Sequence, residues 1–191
     1  MIAQLNGKLI EKNPTELVID CGGVGYDVKI SLNTYTTIGT SEAIRVFTKL
    51  IVREDAQILY GFATKEEREM FNYLISVSGI GPNIAMVMLS SMVPEEIAYA
   101  IQTEDVVTIQ GIKGIGAKTA QRVILDLKGK VIKIAGGIEN SGASNNTNRF
   151  DALTALVSLG FDKKAAEKAI DKVDSGDLAV EILIKEALKV L

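Results

Sequence analysis

Ser78-Gly79-Ile80-Gly81-Pro82-Asn83-Ile84-Ala85 recurs 35 residues further along the chain as Lys113-Gly114-Ile115-Gly116-Ala117-Lys118-Thr119-Ala120. Each copy follows a short apolar stretch of helical character and opens another. Gly-hydrophobic-Gly between two helices makes a tight hairpin, because glycine takes positive φ at no steric cost and lets a partner approach the backbone. The hairpin amides and the N-terminus of the next helix then face outward together as an anion site. Two such sites suit two successive phosphates of a DNA strand. The plainer reading is that the glycines only close interhelical turns. Two copies, with Ala85 and Ala120 at the same offset and helices on both sides, favour the anion sites.

The candidate contacts are Gly79, Gly81 and Asn83 in the first copy and Lys113, Gly114, Gly116, Lys118, Thr119 and Arg122 in the second. They address phosphate and not base edges, so binding is expected to be sequence-independent and salt-sensitive. Asn83 stands where the second copy has Lys118, so the first hairpin rests on its backbone amides.

Around the repeat, residues 64–135 read as helical. Thr64-Lys65-Glu66-Glu67 has the form of a capping box, with Thr64 capping and Glu67 reaching back. Helices are expected over 65–77, 82–92, 94–102, 104–109 and 117–130, making two helix-hairpin-helix units and a connecting helix. Phe71, Leu74, Ile75, Ile84, Met88, Ile97, Ile101, Val123 and Ile124 form the expected apolar seam, with Met86 and Met88 as gap-filling core.

Before it, Ile2–Ile10, Leu17–Cys21, Tyr26–Ile30, Ile44–Val52 and Gln57–Phe62 are alternating or β-branched runs, separated by turn residues and by the polar stretch Ser31–Ser41. Five short strands within residues 1–63 suit a Greek-key barrel of the OB type. Gly22, Gly23 and Gly25 fit a hairpin turn better than a phosphate loop, because the residues after them alternate like a strand. After the repeat, residues 136–148 have almost no apolar content and read as a flexible linker, with a reach of roughly 20 Å. Residues 149–191 read as three short amphipathic helices, about 150–159, 162–173 and 176–190, resembling a ubiquitin-associated module. The fold class is therefore multidomain α+β: barrel, tandem hairpin domain, linker and three-helix domain.

Composition removes many chemistries. The 191 residues hold one cysteine, Cys21, and no histidine, which removes disulfides, Cys/His zinc sites, Ser-His-Asp triads and Cys-His pairs together. No cofactor and no metal site are expected, and Cys21 reads as a small strand residue. The chain shows no secretory signal and no membrane span, so a cytoplasmic protein is expected. A net charge of −3 suits DNA poorly as a sum, but within 111–133 Lys113, Lys118, Arg122, Lys128, Lys130 and Lys133 face only Asp126. Such a stripe can hold phosphates while the rest of the surface repels them.

Two enzymatic readings touch the second hairpin. Gly111 to Thr119 nearly spells a phosphate-binding P-loop, but Ala117 separates the glycine from Lys118-Thr119 and the preceding segment is helical. The hairpin also resembles that of helix-hairpin-helix DNA glycosylase/lyases, whose lysine forms a Schiff base. Their required aspartate would fall at Gly136, and no Asp lies between Asp126 and Asp151. Lys118 therefore reads as a phosphate contact and not a nucleophile. The enzyme class, a glycosylase/lyase or structure-selective nuclease, remains the alternative. Arg53-Glu54-Asp55 puts two adjacent carboxylates between strands, with nothing near them in sequence to complete a catalytic metal site. A plain solvated turn is the simpler account.

The order of modules, together with Gly22-Gly23-Val24-Gly25-Tyr26, the run Val52-Arg53-Glu54-Asp55-Ala56-Gln57-Ile58-Leu59-Tyr60-Gly61-Phe62, both hairpins and Leu156-Val157-Ser158-Leu159-Gly160-Phe161, closely resembles the RuvA family of Holliday-junction-binding subunits over essentially the whole chain. The resemblance implies a homotetramer, or an octamer of two tetramers, holding a four-way DNA junction open and square in recombination and repair. It implies Glu54 and Asp55 as a central acidic pin, and no catalysis by this subunit. It also implies docking of the hexameric AAA+ ATPase RuvB on the C-terminal domain, with the resolvase RuvC in the same complex. On this chain the docking is expected at Leu156, Leu159 and Leu188. The family carries a basic residue in many members where this chain has Asn83.

Overall fold

Strand alternation closes into a barrel. The computed structural model of the chain describes residues 1–132, 134, 144–174 and 178–191, taking 144–147 and 150 as backbone alone. The strands β1 (Gln4–Asn13), β2 (Glu16–Asp20), β3 (Gly25–Ile30), β4 (Ala43–Val52) and β5 (Gln57–Phe62) follow the order β1-β2-β3-β5-β4 around the barrel. All neighbours are antiparallel except β3 and β5. Every second residue points inward, so Leu5, Leu17, Ile19, Val28, Ile30, Ile44, Val46 and Leu59 make the barrel core. Gly22 and Gly23 turn between β2 and β3, where the Asp20 carboxylate accepts from the Gly23 amide at 2.7 Å. A strand follows them, as the alternation required. Cys21 lies one residue past β2, half-buried against the barrel core.

One element escapes the sequence. Helix α1 (Leu32–Thr37) lies inside the polar stretch read as a connection. Six residues, three of them threonine, carry neither propensity nor apolar period; tertiary bonds form the helix. The Asn33 amide donates to the carbonyls of Leu89 at 2.5 Å and Met92 at 3.0 Å. Ser31 caps the helix and, with Thr34, donates to the Glu67 carboxylate. Glu67, only 4% exposed, thus departs from the expected capping box. Thr64 accepts from the Glu67 amide, but the carboxylate goes to Ser31, Thr34 and the Ala63 amide rather than back to Thr64. Three donors satisfy a buried charge that would otherwise be costly.

The helices α2 (Lys65–Ile75), α3 (Pro82–Ser91), α4 (Pro94–Gln102), α5 (Val106–Gln110) and α6 (Ala117–Leu127) then build the tandem unit. The expected seam is the core, with Ile75 and Ile84 at its margin and Met86 and Met88 inside it. Tyr60 and Phe62 of β5 belong to this same core, with ring centroids 5.1 and 5.0 Å from Phe71. Barrel and hairpins therefore share packing, and Met1–Gly137 forms one compact unit where the sequence reading divides it at residue 63.

Ile138–Leu191 forms a second compact unit. It holds α7 (Ser144–Ser158), α8 (Lys163–Val173) and α9 (Val180–Val190) around a core of Ala152, Leu156, Ala166, Ala169, Ile170, Leu183 and Ala187. Helix α7 begins at Ser144, so residues 144–148 are helical instead of linker. Residues 136–143 of the expected linker and the turn residues 175–177 lie outside the described residues.

Candidate nucleic-acid interface

The two hairpins are one backbone built twice. Gly79 has φ +96° and Gly114 φ +94°, a region that a side chain would strain. The N-caps follow suit, Gly81 at φ −87°, ψ 169° and Gly116 at φ −85°, ψ 165°. Ile80 and Ile115 point into the core, each 5% exposed. Their amides close the turns on the carbonyls of Val77 at 3.0 Å and Ile112 at 3.1 Å. Neither N-cap glycine has a side chain to satisfy the first amides of its helix, so these donors stay open at the surface. A Cβ on Gly79 would lie 3.9 Å from both Cγ2 and Oγ1 of Thr119. The first hairpin therefore sits directly against the start of α6, and the two turns are neighbours.

The chemistry around the two turns differs. Pro82 occupies the first position of α3 and removes one of its free amides, whereas Ala117 keeps the equivalent donor on α6. Lys113, Lys118 and Arg122 are exposed around the second hairpin, and Thr119 is half-buried at its edge. In the first, exposed Asn83 accepts a hydrogen bond from the Tyr60 hydroxyl at 3.4 Å, a link to the barrel that sequence pattern does not reveal. Burial pushes the Tyr60 hydroxyl pKa up, and the Arg53 guanidinium opposes that rise. The basic stripe is thinner than its composition suggests. Lys128 forms an ion pair with Glu104, and Lys133 lies outside the described residues. Glu104 holds φ +57° after α4, an uncommon conformation for a non-glycine residue.

Glu54 and Asp55 form the exposed tip of the β4–β5 hairpin, closed by the Arg53 amide donating to the Ala56 carbonyl at 2.8 Å. No ion pair to either carboxylate occurs among the described residues. Both carboxylates face solvent.

In the second unit the expected docking residues separate. Leu156 is fully buried among the three helices, which corrects its assignment to a surface: it holds the core and cannot touch a partner while the unit is folded. Leu159 is 63% exposed and Leu188 42% exposed. Gly160, at φ +99°, ends α7, with the Phe161 amide bonding back to the Leu156 carbonyl at 3.2 Å. That cap leaves Leu159 and Phe161 at the surface.

The sequence matches three domain families: RuvA N terminal domain over residues 1–61, SAM-like helix-hairpin-helix tandem over 71–129, and RuvA C-terminal domain over 147–191. The Holliday junction branch migration complex subunit RuvA of Flavobacterium psychrophilum is 56% identical over 191 residues, covering 99% of each chain. The chain belongs to the RuvA family. The RuvA subunit of Christiangramia forsetii is 54% identical with both chains fully covered, and that of Delftia acidovorans 43% identical over 100% of this chain and 99% of its own. The tandem-hairpin match begins inside α2 and ends just beyond α6, so in this RuvA-family chain it brackets both hairpins.

Proposed function

We propose that this chain binds four-way DNA junctions through their backbones, without sequence preference, as the junction-holding subunit of a branch-migration complex. The observation that carries the reading is the pair of adjacent hairpins, each with open amides, an outward helix N-terminus and no side-chain cap. The names of its full-length relatives, Holliday junction branch migration complex subunits, support it.

In this reading four chains form a ring, or eight a double ring, presenting Glu54 and Asp55 of every chain at the crossover. Carboxylates gathered there repel phosphates and guide strands apart. The subunit is non-catalytic: it recruits the hexameric ATPase RuvB, which performs hydrolysis, and works beside the resolvase RuvC in the cytoplasm. Leu159 and Leu188, exposed on the three-helix unit, are the docking residues, without Leu156. No single described helix is long and apolar enough to cross a membrane.

The test is incubation of the pure protein with a labelled four-way junction and, separately, with linear duplex. Tight junction binding without strand cleavage is expected. Cleavage, or an adduct trapped by borohydride at Lys118, would instead establish the glycosylase/lyase or nuclease alternative. Glu54→Gln combined with Asp55→Asn should keep junction affinity or raise it while relaxing the preference over linear duplex; a loss of affinity contradicts the pin.

A further inference from the structure

At the 35-residue offset, Ser78, Asn83 and Val87 stand where the second hairpin has Lys113, Lys118 and Arg122. The first hairpin thus has the same backbone and no cation of its own. The barrel brings cations to it. The register of β3 on β5 pairs Lys29 with Tyr60, so their side chains are adjacent on the outer barrel face. The Tyr60 hydroxyl bonds Asn83 at the start of α3, and Lys29, Tyr60 and Asn83 line one groove of about 440 Å³ between barrel and helix. Arg53 lies one residue past β4, where its amide closes the β4–β5 turn on the Ala56 carbonyl; Lys49 of β4 is the partner of Tyr60 on β5, and the Arg53 guanidinium acts on the Tyr60 hydroxyl. Lys29 and Arg53 are exposed, and neither forms an ion pair among the described residues.

We propose that Lys29 and Arg53 of the barrel are the phosphate-binding cations of the first hairpin, making that site a composite of barrel and α3 while the second hairpin is self-contained. This rests on the junction-binding reading above. Its consequence is mechanical: a DNA arm held at the first hairpin is held at the same time against the β4–β5 hairpin whose tip is the acidic pin. Arg53 then serves the DNA rather than neutralising Glu54 and Asp55 beside it.

The test is a salt titration of junction binding by the full chain. Lys29→Gln with Arg53→Gln should flatten the dependence of log affinity on log salt by about 0.9 for each phosphate no longer neutralised. Adding Asn83→Lys to that double variant should steepen the slope again by about 0.9, because it returns one cation to the position that the second hairpin fills with Lys118. A double variant with the parent's slope overturns the proposal. So does a flattened slope that Asn83→Lys does not steepen at all, since damage to folding or assembly is not repaired by one charge at that site. Lys118→Gln is the internal control. If it flattens the slope while the barrel variants do not, the junction-binding reading stands and this proposal alone fails. If the parent chain shows no preference for the junction, the functional reading itself fails.

Discussion

Gly79-Ile80-Gly81 and Gly114-Ile115-Gly116 pass through the same backbone angles, yet Pro82 and Asn83 follow the first and Ala117 and Lys118 the second. The shared part is what a hairpin needs in order to exist: a glycine at positive φ, a buried isoleucine and an extended N-cap. The divergent part is what a phosphate would feel. One turn offers fewer amides and a neutral amide side chain tied to Tyr60; the other offers one more amide and three nearby cations. Backbone geometry and local charge are thus separable within a single repeated motif.

The largest effect should appear where the two hairpins are alike. Ile80→Ala and Ile115→Ala each remove a buried side chain from the common core, and each should cost about 2–5 kcal/mol of stability. Denaturant unfolding of the two variants checks this; a loss confined to one of them would break the structural equivalence. A smaller and more selective effect is expected from Ala117→Pro, which gives the second hairpin the amide count of the first. Gly116 already has the extended ψ of 165° that a following proline requires, and Gly81 precedes Pro82 at 169°. Stability should change little, while junction binding weakens by about 1.5 kcal/mol for each charge-assisted bond removed, read by titration. Unchanged affinity would show that the first amide of α6 does not touch phosphate. Lys118→Gln should cost least, flattening the salt slope by about 0.9 for each phosphate it neutralises, whereas Asn83→Gln leaves the slope untouched. Equal responses at the two positions would erase the asymmetry.

Much of this molecule is legible in its residues. The five strands follow from alternation, and the hairpins from glycine spacing, because both signals are local. Helix α1 is invisible for the converse reason: its six residues are held by Leu89, Met92 and Glu67, far away in sequence. Leu156 and Leu159 look equivalent as apolar residues of the helix expected over 150–159, whereas α7 ends at Ser158. Their fates, in the core and at the surface, depend on which side α8 and α9 cover, and periodicity along α7 does not carry that information. Lys128 counts toward a basic stripe by composition and is neutralised in space by Glu104, 24 residues away.

Two tight turns follow from local residues alone, because backbone angles are governed by the residues that adopt them, and glycine at 79 and 114 leaves little choice. One cysteine and no histidine likewise leave the chain no histidine catalysis, no thiol pair and no Cys/His zinc site. Long-range packing alone set the turns side by side, with Gly79 against Thr119, and tied Asn83 to the barrel through Tyr60. Those contacts join residues 40 and 23 positions apart, brought together by burial of the shared core around Phe71 and Leu74. Hydrophobic packing is non-directional along the chain, so its choice of neighbours becomes visible only once every apolar face has found its partner.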